Sequence, residues 1–440
     1  MREAGTGTPV RCDVVVVGGG PAGSTAAAWL ARAGHTVLLF ERDQFPRFHI
    51  GESLLASVND VIAAIGAQHV VREAAFPQKW GATFMLADGS NERFADFGAA
   101  PGVPAPQTWQ VHRATFDHLL LRHAAASGAD VRERHRVHTV AFDADGVTLT
   151  VQGPDDHEPW PVRAHAIVDA SGRSGLLSRQ FGLRVDEPRL ANVAVFSHYS
   201  GVPRAEGRRA GDIRIIARPD LGWFWMIPIS ETLMSVGVVL PQAAFKAVPA
   251  LDPTAFLDRM IAETPAVARL LATATREWPV RVEKDYSFSS RAYAGDRWVL
   301  VGDAGSFLDP MFSTGVAIAL ESALEGAQAI ADGLRKGDLS RRRFARFARR
   351  QRQRYLSFRR FVLAFYTREF RDLFFTATPY PPMFRSLVTI FAGYWRPSLV
   401  TRAWVAAFFV LVRLQRHIPI APRVLPDPGR RPVQAAPAAH

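Results

Sequence analysis

The sequence predicts an α/β chain: a GxGxxG dinucleotide-binding fold with an inserted antiparallel sheet on the substrate side and a C-terminal helical region. Three observations predict it. Val14–Val17 runs straight into Gly18-Gly19-Gly20-Pro21-Ala22-Gly23, followed by a helix over Ala26–Ala33 and a second strand, Val37–Phe40. Segments Asn192–Ser200, Ile213–Ala217, Gly222–Pro228 and Met234–Leu240 alternate in the two-residue period of strands. From Arg335 onward the remaining pattern is helical.

A dinucleotide needs the first of these in that order. The strand delivers the chain to a tight turn, the glycines let backbone approach a pyrophosphate, and the helix start offers amides and a favourable dipole. Gly34 stops the helix, and Glu41 at the end of the next strand is placed to accept ribose hydroxyls. The motif specifies a dinucleotide without saying which. Arg42–Leu55 reads as a loop with charge, aromatics and a helix cap at Ser53. Ala75–Leu86, which carries Lys79, reads as a strand entering a second sheet. Arg113 precedes an amphipathic helix, while Ala129–Val140 and Ala164–Asp169 return the chain to the first sheet. Trp298–Val301 is a buried strand ended by Gly302-Asp303, and a buried helix starts near Val316. Ser313 or Thr314 can cap that helix, leaving the amides of Thr314, Gly315 and Val316 without intrahelical partners, a start that favours an anion. Pro310 stiffens the approach, and Gly315 lets a large group come close to the backbone.

The dinucleotide lobe is therefore discontinuous, over residues 1–75, 105–185 and 286–335. The substrate-side sheet takes 76–104 and 186–285, the helical region 336–421, and a Pro-, Ala- and Arg-rich tail, 422–440, is expected to be disordered. At 48% hydrophobic and 21% charged, the chain has the composition of a folded protein. Its net charge of +12 invites an anionic partner, and much of the excess lies on a long helix through Arg341–Arg354. That helix reads either as a solvated face or as a dock for an acidic partner. A single cysteine, Cys12, excludes an internal disulfide and a cysteine metal cluster and fits a reducing, cytoplasmic compartment. No metal site and no nucleic-acid partner is read. Met1–Pro9 lacks the apolar run of a secretory signal, and the longest apolar run, Ala403–Val412, is too short for a transmembrane segment.

Four markers coincide: the N-terminal fingerprint, Arg113, Asp169-Ala170-Ser171-Gly172 and Gly302-Asp303-Ala304. Together they are similar to the FAD-binding layout of the single-component aromatic hydroxylases and their relatives. Within that group, Trp223-Phe224-Trp225-Met226-Ile227-Pro228 resembles the W-x-W-x-I-P signature of flavin-dependent halogenases. Phe307 through Gly315 resembles their F-x-x-P-x-x-S-x-G motif, and Gly51-Glu52-Ser53 and Lys79-Trp80-Gly81 sit where that family has them. The resemblance covers residues 12–330.

The resemblance implies FAD, used as FADH2, held by Gly18, Gly20, Ala22, Gly23, Glu41, Arg42, Arg47, Ser53, Arg113, Val137, Asp169, Gly172, Asp303, Pro310, Gly315 and Val316. In that family reduced FAD and oxygen give a C4a-hydroperoxide, whose distal oxygen a halide attacks to form hypohalous acid. Chloride or bromide would sit at Thr314 and Gly315. Lys79 would be the catalytic residue, either polarising hypohalous acid as an ammonium or being halogenated to a haloamine. Trp223, Trp225 and Phe312 would line the substrate pocket. Tryptophan halogenases have an acidic residue where this chain has Phe312, which points to the phenol or pyrrole branch, with free or carrier-protein-tethered substrate. Asp309 is a candidate for a covalent link to the flavin, as a carboxylate of this loop is in some relatives. His49, His112 and Glu52 are unranked candidates for the phenol base. With no second nucleotide fingerprint, a separate flavin reductase is expected. The rival readings are a monooxygenase or geranylgeranyl-reductase-like oxidoreductase of the same fold, and a flavoprotein that only binds a partner.

Overall fold

The computed structural model describes residues 10–248, 252–284, 287–376 and 379–424. Met1–Pro9 and residues 425–440 of the expected disordered tail lie outside them. Residues 422–424, also assigned to that tail, are placed: Arg423 and the amide of Val424 bond the carboxylate of Asp372 at 2.8 and 3.1 Å. The chain divides into two compact units. One comprises Met1–Phe76, Val111–Pro188 and Tyr286–Arg359, the other Pro77–Gln110, Arg189–Asp285 and Arg360–His440.

The first unit is built on a mainly parallel sheet in the order Ala294–Gly295, Trp298–Leu300, Trp160–Asp169, Val10–Val17, Val37–Phe40, Asp130–Arg132. Val15, Val16, Ile167, Val168 and Val299 are wholly buried, as strands covered on both faces require. Register then does something useful. Val17 is level with both Phe40 and Asp169, and Asp169 is level with Leu300. The segments that follow these four strands therefore leave the sheet at one edge, beyond its carboxyl ends, where open α/β sheets bind ligands.

Several local expectations shift. The first helix is Pro21–Arg32, starting five residues earlier than Ala26, because Pro21 takes a first-turn position that needs no amide. The strand expected over Ala129–Val140 is two strands: Asp130–Arg132 pairs parallel with Leu38–Phe40, and Arg136–Phe142, which contains Val137, turns into an antiparallel ladder with Val147–Gln152. Arg134, at φ 58°, makes the break. Ser53 caps no helix, since the next one is Val58–Ala64 with Ser57 at its N-cap. The basic stretch is not one exposed helix either. The helix is Ala345–Phe365, and Arg354 within it is 2% exposed, paired at 3.0 Å with both Glu321 and Glu325. Those pairs, with Arg350 to Glu325 at 2.8 Å, draw residues 336–359 into the first unit rather than a separate helical region.

The second unit is an eight-stranded sheet in which Ile213–Ala217 runs parallel to Gly81–Leu86 and the other pairs are antiparallel. The expected period-two alternation does not produce a wet face: Trp223–Pro228 is buried throughout and Asn192–Ser200 nearly so. One side carries Phe224, Met226, Val236 and Val238 against Phe256, Leu257, Met260 and Val267 of the Pro253–Ala262 and Pro265–Leu270 helices. Elsewhere Phe84 meets Phe374 and Phe391 of the C-terminal helices Arg368–Phe374 and Pro381–Phe391, with ring centroids at 5.0 and 6.0 Å. The apolar run Ala403–Val412 lies in the helix Leu399–Leu414, and no helix among the described residues is long and apolar enough to cross a membrane.

Arg371 fixes the C-terminal helices to this sheet. Wholly buried, it donates to the carbonyls of Leu221 at 2.6 Å and Arg218 at 2.8 Å, on either side of a turn where Leu221 has φ 65°. These bonds draw residues from Arg360 onward into the second unit. Replacing Arg371 with Met leaves those carbonyls without a donor. The variant is expected to lose about 1–3 kcal/mol of stability, measured by urea unfolding with the second unit's tryptophans as probe.

Candidate active site

The edge of the first sheet is shaped by backbone contact. A Cβ on Gly18, which has φ 102°, would lie 2.4 Å from the carbonyl oxygen of Ala170, and one on Gly23 would lie 1.8 Å from that of Gly18. Only glycine fits either place. Gly20 is the N-cap of Pro21–Arg32, which has no side-chain cap and no acidic residue in its first turn. Glu41 closes the turn from the neighbouring strand, its two oxygens accepting from the amides of Gly19 at 2.6 Å and Asp43 at 2.8 Å. An uncapped helix start, a backbone-tight turn and a carboxylate one strand away fit the pyrophosphate and ribose of a dinucleotide. Arg47 lies near Gly20, while Arg42 is exposed and lies 3.6 Å from Asp43. Ser53 and Val316 are buried.

Other expected cofactor residues turn out to hold the loops. Arg113 is the first residue of the helix Arg113–Ala126, and its guanidinium is shared between the Asp117 carboxylate, at 2.7 and 2.9 Å, and the carbonyls of Ile50 and Gly51, at 2.8 and 3.1 Å. Asp169 is wholly buried and accepts from the amides of Ser171 at 3.0 Å and Leu177 at 2.8 Å, which bends the chain at Gly172. Asp303 follows Gly302, whose added Cβ would lie 3.1 Å from the Cβ of Ala22 in the fingerprint turn. Burial raises its carboxyl to about 6, against the pull of Arg113 and Arg173. His49, its Nδ1 2.7 Å from the carbonyl oxygen of Ile50, is pushed down to about 4 by burial and by Arg113, which keeps it neutral at neutral pH.

The motif ahead of the Thr314–Lys336 helix departs from expectation at three places. Ser313 occupies the N-cap with φ 56° and its hydroxyl caps nothing, so no side chain caps the helix start. At Gly315 the Phe307 ring lies 3.1 Å from where a Cβ would be, so the glycine makes room for Phe307 on that side. Asp309 is 1% exposed and accepts from the amide of Met311 at 3.0 Å, supporting the turn Pro310–Phe312. Thr314 and Phe312 are buried.

Lys79, Trp223 and Trp225 belong to the second unit. The strand expected over Ala75–Leu86 breaks at Trp80: Gln78–Lys79 pairs with Thr108–Trp109, and Gly81–Leu86 joins the large sheet. Lys79 is 1% exposed, with its Nζ 5.3 Å from the centre of the Phe97 ring. Burial pushes it down to about 7, with Asp212 opposing. Trp223 and Trp225 have ring centres 6.0 Å apart, and each indole N–H is held, by Tyr366 at 2.8 Å and Ser235 at 3.1 Å.

The family model for the FAD binding domain matches residues 11–354. The chain is 32% identical over 395 residues to a 1H-pyrrole-2-carbonyl-[peptidyl-carrier protein] chlorinase of Pseudomonas fluorescens, covering 85% of this chain and 87% of that one. The chain belongs to the flavin-dependent halogenases. Among solved structures, a myxobacterial chondrochloren halogenase is 35% identical with a TM-score of 0.75, covering 92% of this halogenase and 97% of that chain. A flavoprotein/dehydrogenase from Cytophaga hutchinsonii is 29% identical with a TM-score of 0.84, covering 92% and 99%.

Sequence reasoning missed Asp117 and Asp212, both plain carboxylates outside any motif. One signal for Lys79 was countable. This halogenase has 49 arginines and only four lysines, Lys79, Lys246, Lys284 and Lys336. The other three are exposed. Arginine stays charged under almost any burial, whereas a lysine can be brought to titrate near neutrality.

The depressed Lys79 has a stability consequence. Between its folded value of about 7 and the ordinary 10.5, the unfolded chain binds the extra proton, so folding strengthens as pH rises through that window. Lys79→Met is therefore expected to melt at a higher temperature than the parent. Its advantage should be largest below pH 7 and gone by 10.5, read from thermal melts across that range.

Proposed function

We propose that this enzyme installs chloride or bromide on an electron-rich phenolic or pyrrolic ring, with Lys79 directing the oxidant. Bound reduced FAD supplies the oxygen activation from which hypohalous acid is made. The halide is assigned to the amides of Thr314 and Gly315, at the uncapped start of a 23-residue helix. Asp303 and Glu41 would accept from the cofactor's hydroxyls, and the Gly18–Gly23 turn would hold its phosphates.

The observation that carries the role of Lys79 is its burial combined with a pKa near neutrality. Both forms of the nitrogen are then populated at working pH. The ammonium can donate to hypohalous oxygen, and the amine can accept the halogen. Trp223 and Trp225, pinned through their N–H groups, form a rigid aromatic wall for the substrate ring. Phe312, where tryptophan halogenases carry an acid, and the pyrrole chlorinase relative both favour a phenol or pyrrole. That relative acts on a carrier-bound pyrrole, as its name states. Exposed Arg346, Arg349 and Arg352 give this chain a basic face for an acidic carrier. Reduction is assigned to a separate flavin reductase, and the compartment to the cytoplasm, where the buried free thiol of Cys12 stays reduced.

The test is mass spectrometry of products from free and carrier-loaded phenols and pyrroles, with FAD, bromide and a flavin reductase. Lys79→Ala is expected to lose at least about a hundredfold in halogenated product while still consuming oxygen and releasing peroxide. Full product yield from that variant, or turnover of the parent with NADH and no reductase, would refute the respective assignment. With one oxygen of Asp309 engaged by the Met311 amide, the FAD is assigned a non-covalent hold. Acid precipitation of the holoenzyme is expected to leave all the flavin in the supernatant.

A further inference from the structure

Lys79 is presented by a very short ribbon, and what holds that ribbon is unusual. On one side Gln78–Lys79 pairs with Thr108–Trp109, and the next residue, Gln110, donates its amide to the carbonyl of Pro77 at 2.9 Å. On the other side lies Gly211-Asp212. A Cβ on Gly211 would be 2.0 Å from the carbonyl oxygen of Gln78, so the two backbones touch there. Asp212 Oδ1 accepts from the amides of Trp80 at 2.7 Å and Gly81 at 2.9 Å, the two that follow Lys79. The Gln110 side chain closes the frame, donating to the carbonyl of Gly211 at 2.9 Å. Two buried acceptors in this frame, Asp212 Oδ2 and Gln110 Oε1, have no hydrogen-bond partner among the described residues. Unsatisfied buried acceptors are rare and costly, and a carboxylate oxygen more so.

We propose that Asp212 is the positioning residue of Lys79: one carboxylate oxygen fixes the backbone that presents the lysine, and the other, buried and without a hydrogen-bond partner among the described residues, sets a negative charge in the same frame. This rests on Lys79 directing the oxidant. Asp212 is a carboxylate that acts on the nitrogen. The aromatic neighbour is Phe97. Among the cations, Arg208 lies over the Trp80 ring at 4.2 Å and pairs with Asp96 at 3.1 Å, while Arg209 acts on Asp212 and pairs with Glu92 at 2.8 Å. Neither arginine can raise the affinity of Lys79 for a proton. Burial raises the Asp212 carboxyl, opposed by the Trp80 and Gly81 amides and then by Lys79 and Arg209, and burial depresses the lysine, opposed by Asp212.

Asn and Asp have the same shape, so Asp212→Asn keeps an oxygen for the Trp80 and Gly81 amides while removing the charge. The chain has four lysines, so 13Cε-labelled lysine gives four titrating signals in the holoenzyme, with that of Lys79 identified by its loss in Lys79→Met. In Asp212→Asn that signal is expected to titrate at lower pH than in the parent, with the other three unmoved. Halogenated product per flavin oxidised at neutral pH is expected to fall on the order of tenfold, the population change made by one pH unit. The pH profile should shift the same way, and Asp212→Glu should restore both. An unmoved Lys79 titration, or a moved titration with undiminished product per flavin, overturns the proposal. Full halogenation by Lys79→Met instead overturns the role of Lys79 itself, whatever Asp212→Asn does to the signal.

Discussion

Keeping an ammonium group out of water is the constraint on which the second unit's local design depends. Lys79 is covered almost completely, and a lysine so covered must find a counter-charge or give up its proton. The observed answer lies between the two. Its nitrogen has a ring 5.3 Å away and feels the Asp212 carboxylate, and burial brings its titration to about 7. That balance depends on where the backbone holds the side chain. The break at Trp80, the close contact at Gly211 and the double acceptance by Asp212 are what stiffen it.

The first unit meets a different demand, the approach of a large anionic cofactor to backbone. Here rigidity comes from register. Four strand ends lie level, and three of the following loops are then tied by carboxylates that accept from amides: Glu41 from Gly19 and Asp43, Asp169 from Ser171 and Leu177. Arg113 does the corresponding work for the Ile50–Gly51 loop, with Asp117 neutralising it. Much of what a motif comparison would credit to ligand contact is spent on holding the cradle's shape.

That distinction explains how far the sequence could be read. The βαβ fingerprint was legible because each part has its own local signal, and the strand limits Val37–Phe40, Asn192–Ser200 and Ile213–Ala217 followed directly from apolar runs bounded by turn residues. The sites of Lys79, Trp223 and Asp303 could be marked because they fall in spaced motifs. Partners set by tertiary contact could not. Nothing in the local sequence says that Asp212 reaches Trp80 across more than a hundred residues, or that Phe307 fills the space beside Gly315. Backbone handedness was equally hidden. Ser313 is a good cap by composition, yet its left-handed conformation removes its hydroxyl from that duty, and Arg134 breaks a strand that apolar periodicity alone would continue.

The scarcity of lysine bears on survival as well as on the role proposed for Lys79. Hypohalous acid attacks amines and thiolates wherever it meets them. In this chain three amine side chains are exposed, and the lone thiol, Cys12, is buried and held neutral, pushed up to about 12. The thiolate is the reactive form, so a neutral buried thiol is a poor target. The surface charge is carried instead by guanidinium groups. Oxidant escaping into solvent would thus find few amines or thiolates on its maker, and that sparing is set by amino-acid usage rather than by any device of the fold.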